Sequence, residues 1–174
     1  MSRPLTLLVA LLLTLAVAGC QNAQSAGPDT AAGVTTTPGA ASTPIAHDGR
    51  RVEISADDTM KFSLVEIHAK AGERISVTLI NKGTTPKFSM GHNWILLAGS
   101  AEVDPFLAAA AEAPTSEYVP ALKAAQVLAS TKLLGPGEQD TATFTSPRTP
   151  GRFTFLCSYP GHAQVGMRGV LIVD

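Results

Sequence analysis

Apolar and polar residues alternate with a period of two through most of the chain after residue 50. Side chains on a β-strand point alternately to its two faces, so each alternating run predicts a half-buried strand. Glycine, proline and asparagine separate the runs, as is typical of turns between short strands. The pattern predicts an all-β sandwich, with strands at Met60–Leu64, Glu66–Ala69, Ile75–Leu79, Asn93–Leu97, Thr141–Phe144, Gly151–Cys157 and Gly169–Val173.

One stretch, roughly residues 101–130, does not alternate. It is rich in alanine, which favours helix, and Pro105 and Pro120 stand where the first turns of two helices would lie. We therefore expect a small helical flap inserted into the sandwich. Phe106 and Leu107 are expected to cover the core, an interpretation that we prefer to a cofactor-binding helix.

The first 19 residues have the pattern of a secretory signal. A basic residue is followed by an apolar run from Leu5 to Val17 and by two small residues. This run is too short to cross a membrane. Val17 to Cys20 resembles a bacterial lipobox, in which the cysteine is lipidated and becomes the first residue of the mature protein. The alternative is an ordinary signal with a disulfide between Cys20 and Cys157, which we rank lower because it would tie a disordered tether to a buried strand end.

Residues 21–49 are mostly Ala, Gly, Thr, Ser and Pro, so they are not expected to build a core. As a flexible coil this segment would reach about 30 Å. We expect a signal over residues 1–19, a lipidated cysteine with its tether over 20–50, and one domain over 51–174. His47 falls in the tether and is interpreted as a solvated linker residue, whereas His68, at a strand end, is expected to be structural or exposed.

Charge is nearly balanced, with 13 Lys and Arg residues against 14 Asp and Glu residues. No strong field is expected to attract nucleic acid or an anionic surface. Recognition of partners should therefore depend mainly on short-range apolar contacts.

The residues with the most distinctive chemistry are Cys157, His162 and Met167, which lie within eleven positions, and His92, which lies far from them in the sequence. One thiolate, two imidazoles and one thioether are the ligands of a blue copper site, a His₂Cys plane with a weak axial methionine. Catalytic zinc sites instead keep an open position for water. Each residue alone is more often structural, but the combination indicates copper and transfer of one electron.

The local pattern also predicts how these ligands meet. Phe153, Phe155 and Cys157 share one face of a strand, so the thiolate should point into the packed interior. A Pro-Gly turn after the strand should bring His162 back beside its end, while His92 must come from another strand. The site is thus expected to join two distant segments of the chain.

On these motifs the domain resembles the cupredoxins, and among them the azurins and the membrane-anchored auracyanins, over nearly all of residues 52–174. The segments that carry the resemblance are Met60–Phe62, Pro86–Lys87, Met90–Trp94, Thr131–Glu138, Phe155–Cys157 and Pro160–His162. The resemblance implies a Greek-key β-sandwich of about eight strands with the helical flap inserted at about residues 101–130. It also implies one type 1 copper per chain.

The resemblance assigns His92, Cys157 and His162 as equatorial ligands and Met167 as the axial ligand, with the Gly91 carbonyl as a weak second axial contact. Around them, Asn93 would brace the ligand loop by a hydrogen bond towards Ser158. The backbone N–H groups of Asn93 and Tyr159 would point at the Cys157 sulfur and tune the reduction potential.

The outer edge of His162 is implied to be the port through which electrons pass. We expect an apolar patch around it, built from Met60, Pro86, Met90, Tyr159 and Pro160. Two features depart from azurin: four residues, 163–166, separate His162 from Met167 where azurin has three, and the cysteines of azurin's N-terminal disulfide are absent.

The implied activity is electron transport by cycling between Cu(I) and Cu(II), not enzymatic catalysis. The expected redox partner is a cytochrome or a membrane electron-transfer complex. The protein itself is expected to be a monomer that a lipid anchors to the cell envelope. It would face the periplasm, with the outer membrane favoured where the host has one, or lie on the outer surface of the cytoplasmic membrane. The alternatives are a copper carrier or storage protein, and a domain of a copper enzyme, which would need more histidines than His47 and His68 supply.

Overall fold

The computed structural model describes residues 49–174, which contain eight strands and a helical insertion. The strands are β1 Arg50–Ala56, β2 Glu66–Ala69, β3 Arg74–Asn81, β4 Ile95–Leu97, β5 Val127–Ser130, β6 Gln139–Thr145, β7 Gly151–Leu156 and β8 Arg168–Val173. The helices are α1 Lys87–Met90 and α2 Val103–Ala111, with 3₁₀ turns at Pro114–Ser116 and Ala121–Gln126. The predicted all-β class and strand number are confirmed.

Two sheets pack face to face, one in the order β1-β3-β6 and the other in the order β2-β8-β7-β4-β5. Both are mixed, since β1 is parallel to β3 and β2 is parallel to β8, while the other pairs are antiparallel. The core between the sheets is apolar and includes Ile54, Val77, Trp94 and Phe155, each with none of its surface exposed. This is the Greek-key sandwich that was expected, and its buried apolar surface is the main source of its stability.

The strand predicted at Met60–Leu64 is wrong. Only Phe62 forms a bridge there, opposite Ala56 of β1. Met60 has a φ of 56°, a left-handed conformation that interrupts an extended strand. The alternation in this segment reflects Phe62, whose ring turns inward to the core.

Two strands were not predicted. In β1, Val52, Ile54 and Ala56 are buried and alternate with more exposed neighbours, so the strand has the period of two that is typical of a half-buried strand. β5 lies inside the stretch assigned to the flap and pairs with β4, which places the end of the helical insertion at Gln126. β4 itself begins at Ile95 and not at Asn93, because the Trp94 N–H is bound by the Thr131 hydroxyl instead of a neighbouring strand.

The flap covers the core as predicted. Phe106, Leu107 and Ala110 of α2 are buried in a second apolar cluster together with residues of β4 and β7. Ala163, from the segment between His162 and Met167, belongs to the same cluster. The flap therefore packs directly against the predicted ligand loop, and its second predicted helix is a 3₁₀ turn that follows Pro120.

The predicted signal over residues 1–19, the lipidated Cys20 and the tether with His47 lie outside the described residues. Within residues 49–174, no helix combines the length and the apolar character needed to span a membrane.

Candidate metal centre

His92, Cys157 and His162 come together in the structure. The ligating atoms of the three side chains all lie within 4.8 Å of one another, and all three residues are buried. The Cys157 sulfur is 3.5 Å from Nδ1 of His162, and the centres of the two imidazole rings are 5.0 Å apart. Two nitrogens and one thiol sulfur thus converge on one point inside the protein.

The loop after β7 carries Cys157, His162 and Met167, and backbone hydrogen bonds close it. The Cys157 N–H donates to the Met167 carbonyl at 3.1 Å, and the Met167 N–H donates to the His162 carbonyl at 2.9 Å. Gly161 and Gly166 have φ values of 89° and 98°, left-handed conformations that glycine adopts without strain. Met167 is fully buried in the same cluster as Cys157, so the loop gathers all three side chains.

His92 is delivered by the segment after α1. Its backbone exchanges two hydrogen bonds with Leu134, at 3.1 and 2.8 Å, which fixes the segment against the chain before β6. Gly91 is buried, and a Cβ there would lie 2.7 Å from the Lys87 carbonyl oxygen, so a larger residue would not fit. Position 91 therefore needs glycine for close backbone packing.

One side chain of the site, His92, lacks a partner that a metal would supply. Neither ring nitrogen of His92 makes a hydrogen bond of good geometry among the described residues, although both are buried and the Asp57 backbone is close enough to His92 to offset in part the effect of burial on its pKa. An unpaired buried polar group costs about 1–3 kcal/mol, so such groups are normally satisfied. Burial also lowers the pKa of His92, and burial followed by the proximity of His92 lowers the pKa of His162 to about 4. Both imidazoles are therefore neutral at pH 7 and have a lone pair available for a cation.

Burial raises the pKa of the Cys157 thiol to about 12, and the backbone N–H groups of Asn93 and Tyr159 offset this only in part. Without a cation the sulfur keeps its proton at neutral pH. A bound metal ion would replace that proton. Two imidazoles, a thiol and a nearby thioether form a donor set that fits copper.

Asn93 and Ser158 join the two ligand segments directly. The Asn93 side-chain amide donates to the Ser158 hydroxyl at 2.9 Å, and the Ser158 N–H donates to the Asn93 side-chain carbonyl at 2.8 Å. Both residues are buried. These hydrogen bonds hold the residue after Cys157 against the residue after His92.

The flap also contributes to this brace, which the sequence did not reveal. The Asn93 amide donates to the Glu117 carbonyl at 3.1 Å, and the Ser158 hydroxyl donates to the Tyr118 carbonyl at 2.7 Å. Glu117 and Tyr118 have φ values of 57° and 62°. Consecutive left-handed residues other than glycine leave no clear signal in a sequence, so only the structure shows that the flap supports the site.

Of the residues predicted to form the apolar patch, Tyr159 lies directly on His162, with ring centres 4.6 Å apart. Pro86 and Pro160 are exposed, and Met60, Met90 and Tyr159 are half-buried. Two exposed apolar residues are added to these: Phe88, 81% exposed, whose carbonyl accepts from Tyr159, and Val165, 51% exposed, in the segment between His162 and Met167. We call these seven residues the port patch. Of the two other histidines, His68 is exposed and paired with Glu66 at 2.8 Å, as expected of a residue outside the site, and His47 lies outside the described residues.

Known proteins share these features. Residues 50–174 match the family of copper binding proteins described as the plastocyanin/azurin family. Azurin of Pseudomonas chlororaphis is 33% identical over 71% of this chain and 97% of its own length. Outer membrane protein H.8 of Neisseria gonorrhoeae is 33% identical over 70% of this chain, and the match covers 66% of that protein. The crystal structure of reduced auracyanin from Roseiflexus castenholzii superposes with a TM-score of 0.64, at 32% identity, over 71% of this chain and 96% of that one.

Proposed function

The chain belongs to the plastocyanin/azurin family of copper-binding proteins, and we propose that it carries single electrons between redox proteins at the cell envelope. Homology to azurin and auracyanin, together with the buried site, supports a blue copper electron-transfer protein. The observation that carries this proposal is the convergence of His92, Cys157 and His162 in the interior, within 4.8 Å of one another.

We assign His92, Cys157 and His162 as the equatorial ligands and Met167 as the axial ligand, with the Gly91 carbonyl as a weaker contact. When bound, copper would supply reversible one-electron chemistry between Cu(II) and Cu(I). The residues of the site supply rigidity, because the hydrogen bonds of Asn93 and Ser158 fix both ligand segments. A frame that cannot rearrange keeps the barrier to electron transfer low.

Burial of the ligands supports electron transfer over the turnover of a substrate. His92 and Cys157 have none of their surface exposed, and His162 has 3%. An electron can leave such a site through a side chain, whereas a substrate needs room beside the metal. We assign His162 as the port because the Tyr159 ring of the port patch packs on it, with ring centres 4.6 Å apart.

The port patch suits brief docking of a redox partner, since redox encounters use small interfaces. We propose a cytochrome or a membrane electron-transfer complex as that partner. Similarity to an outer membrane protein supports a position at the envelope. The lipobox-like sequence that ends at Cys20 supports a lipid on that residue as the anchor. The Cys20→Ser variant should then leave the membrane fraction, and its continued partition with membranes would contradict the anchor.

A copper carrier is the alternative, and copper retention distinguishes it from an electron carrier. The loaded protein is mixed with a Cu(I) chelator, and loss of copper is followed while electron exchange is measured on the same sample. An electron carrier keeps its copper during many exchanges of the electron. Release of copper faster than electron exchange would favour the carrier.

A further inference from the structure

Lys61 contacts the loop that carries Cys157, His162 and Met167, although it is distant from that loop in the sequence. Its ammonium group donates a hydrogen bond to the carbonyl of Val165. A Cβ added at Gly166 would lie 2.8 Å from the same nitrogen, so the amine also lies directly over Gly166. The Lys61 side chain therefore covers the last two residues before Met167.

These residues belong to the segment 163–166, which is one residue longer than the corresponding segment of azurin. Its first residue, Ala163, is buried against the flap, whereas Gln164 and Val165 are exposed. Within the segment, the Val165 N–H donates to the Gly161 carbonyl at 3.2 Å and the Gly166 N–H to the Ala163 carbonyl at 3.1 Å. The flap fixes the inner side of the segment, and Lys61 fixes its outer side.

We propose that Lys61 is a positioning residue of the metal site, which holds the lengthened loop so that the Met167 sulfur stays at its distance from the metal. The inference rests on the proposed function, since it concerns the axial ligand of the copper. Gly166, at a φ of 98°, sets the direction in which the chain enters Met167. A contact that fixes Val165 and Gly166 therefore fixes the start of the Met167 side chain.

Two variants of similar size separate the hydrogen bond from the charge. Lys61→Gln removes the charge and keeps an N–H donor, whereas Lys61→Met removes both. Removal of a nearby positive charge alone should lower the reduction potential equally in both variants, because a cation favours the less positive Cu(I). Release of the loop should weaken the thioether and raise the potential only in Lys61→Met, since loss of a donor disfavours Cu(II).

The expected result is a more positive potential in Lys61→Met than in Lys61→Gln by cyclic voltammetry. In the visible spectrum of the Cu(II) protein, the ratio of the minor to the main thiolate-to-copper charge-transfer band should change in Lys61→Met as well. Lys70→Met is the matched control, because Lys70 is exposed and follows β2, beside the end of β8 that lies away from Met167. That control should leave the band ratio unchanged.

The same two Lys61 variants in a Met167→Leu background complete the test, because a residue that acts through Met167 has no further effect once Met167 is gone. Equal potentials in the two single variants would overturn the inference. A difference that persists in the Met167→Leu background would also overturn it. A parent protein that is not blue with Cu(II) would instead refute the proposed function, so the two failures are distinguishable.

Discussion

The hydroxyl of Tyr159 donates a hydrogen bond to the backbone carbonyl of Phe88, with 2.6 Å between the oxygens. The Tyr159 ring also packs on His162, and the rings of Tyr118 and Tyr159 meet in a T-shaped arrangement with their centres 5.0 Å apart. One side chain therefore ties the ligand loop to the backbone of α1 and links the buried port imidazole to the Phe88 carbonyl. The docking surface and the metal site are parts of one connected structure.

The Tyr159→Phe variant tests this link. It keeps the ring on His162 but removes the hydrogen bond to Phe88, so the free energy of unfolding should fall by about 1 kcal/mol. The blue colour should persist, and electron self-exchange should slow because α1 is less firmly held. NMR line broadening in mixed Cu(I)/Cu(II) samples measures the exchange rate, with Tyr118→Phe as the control. A self-exchange rate equal to that of the parent would show that the hydroxyl has no part in electron transfer.

A matched pair of serines tests the brace beside the ligands. Ser158 and Ser76 are both buried, and each hydroxyl takes part in a side-chain hydrogen bond, Ser158 with Asn93 and Ser76 with Thr143. Ser158→Ala and Ser76→Ala should each lower the free energy of unfolding by about 1–3 kcal/mol. Only Ser158→Ala should also shift the reduction potential, measured by voltammetry, because it touches the segment that carries Cys157. Equal reduction potentials in both variants would show that the Ser158 hydroxyl does not tune the metal site.

The port patch can be tested by charge. Phe88→Lys should slow self-exchange by about fivefold, since two like charges near contact repel by about 1 kcal/mol in water. Leu122→Lys is the control, because Leu122 is 98% exposed on the flap and lies outside the port patch. Both spectra should stay unchanged. If Leu122→Lys slowed exchange as much as Phe88→Lys, electrons would leave by another face.

Stability at acid pH should depend on Glu73. Its carboxylate accepts hydrogen bonds from the Arg50 side chain at 2.6 Å and from the Lys70 N–H at 2.9 Å. In the folded protein these contacts lower the pKa of Glu73 below its ordinary value of 4.5. A lowered folded pKa stabilises the protein above the unfolded pKa, and this stabilisation is lost as the pH falls through the folded pKa. Because the Arg50 side chain is 43% exposed and solvent screens the pair, the contribution is expected to be below about 1 kcal/mol.

Urea unfolding of the Glu73→Gln variant measures this contribution. The variant should be less stable than the parent at pH 7, and the difference should shrink as the pH falls from 5 towards 3. A difference in unfolding free energy that is constant across this range would show that the carboxylate charge is not the source of the effect.

The sequence predicted contacts between residues that lie close together in the chain. Cys157 and His162 are joined by a Pro-Gly turn in one segment, so their convergence followed from local geometry. The strand predicted at Met60–Leu64 was wrong because the single buried ring of Phe62, between polar neighbours, gives the same sequence pattern as an alternating strand. The contacts of the Glu117–Tyr118 turn with the site, and the contact of Lys61 with Val165, were not predicted. They join residues that are distant in the chain, and no local sequence pattern indicates them.

The blue copper assignment is best tested by the visible spectrum of the protein loaded with Cu(II), recorded together with voltammetry and with the Cys157→Ser variant. The assignment predicts an intense blue absorption from thiolate-to-copper charge transfer, one reversible one-electron wave, and loss of the colour in Cys157→Ser. A Cys157→Ser variant that stays blue, or a parent protein that takes zinc and not copper, would contradict it.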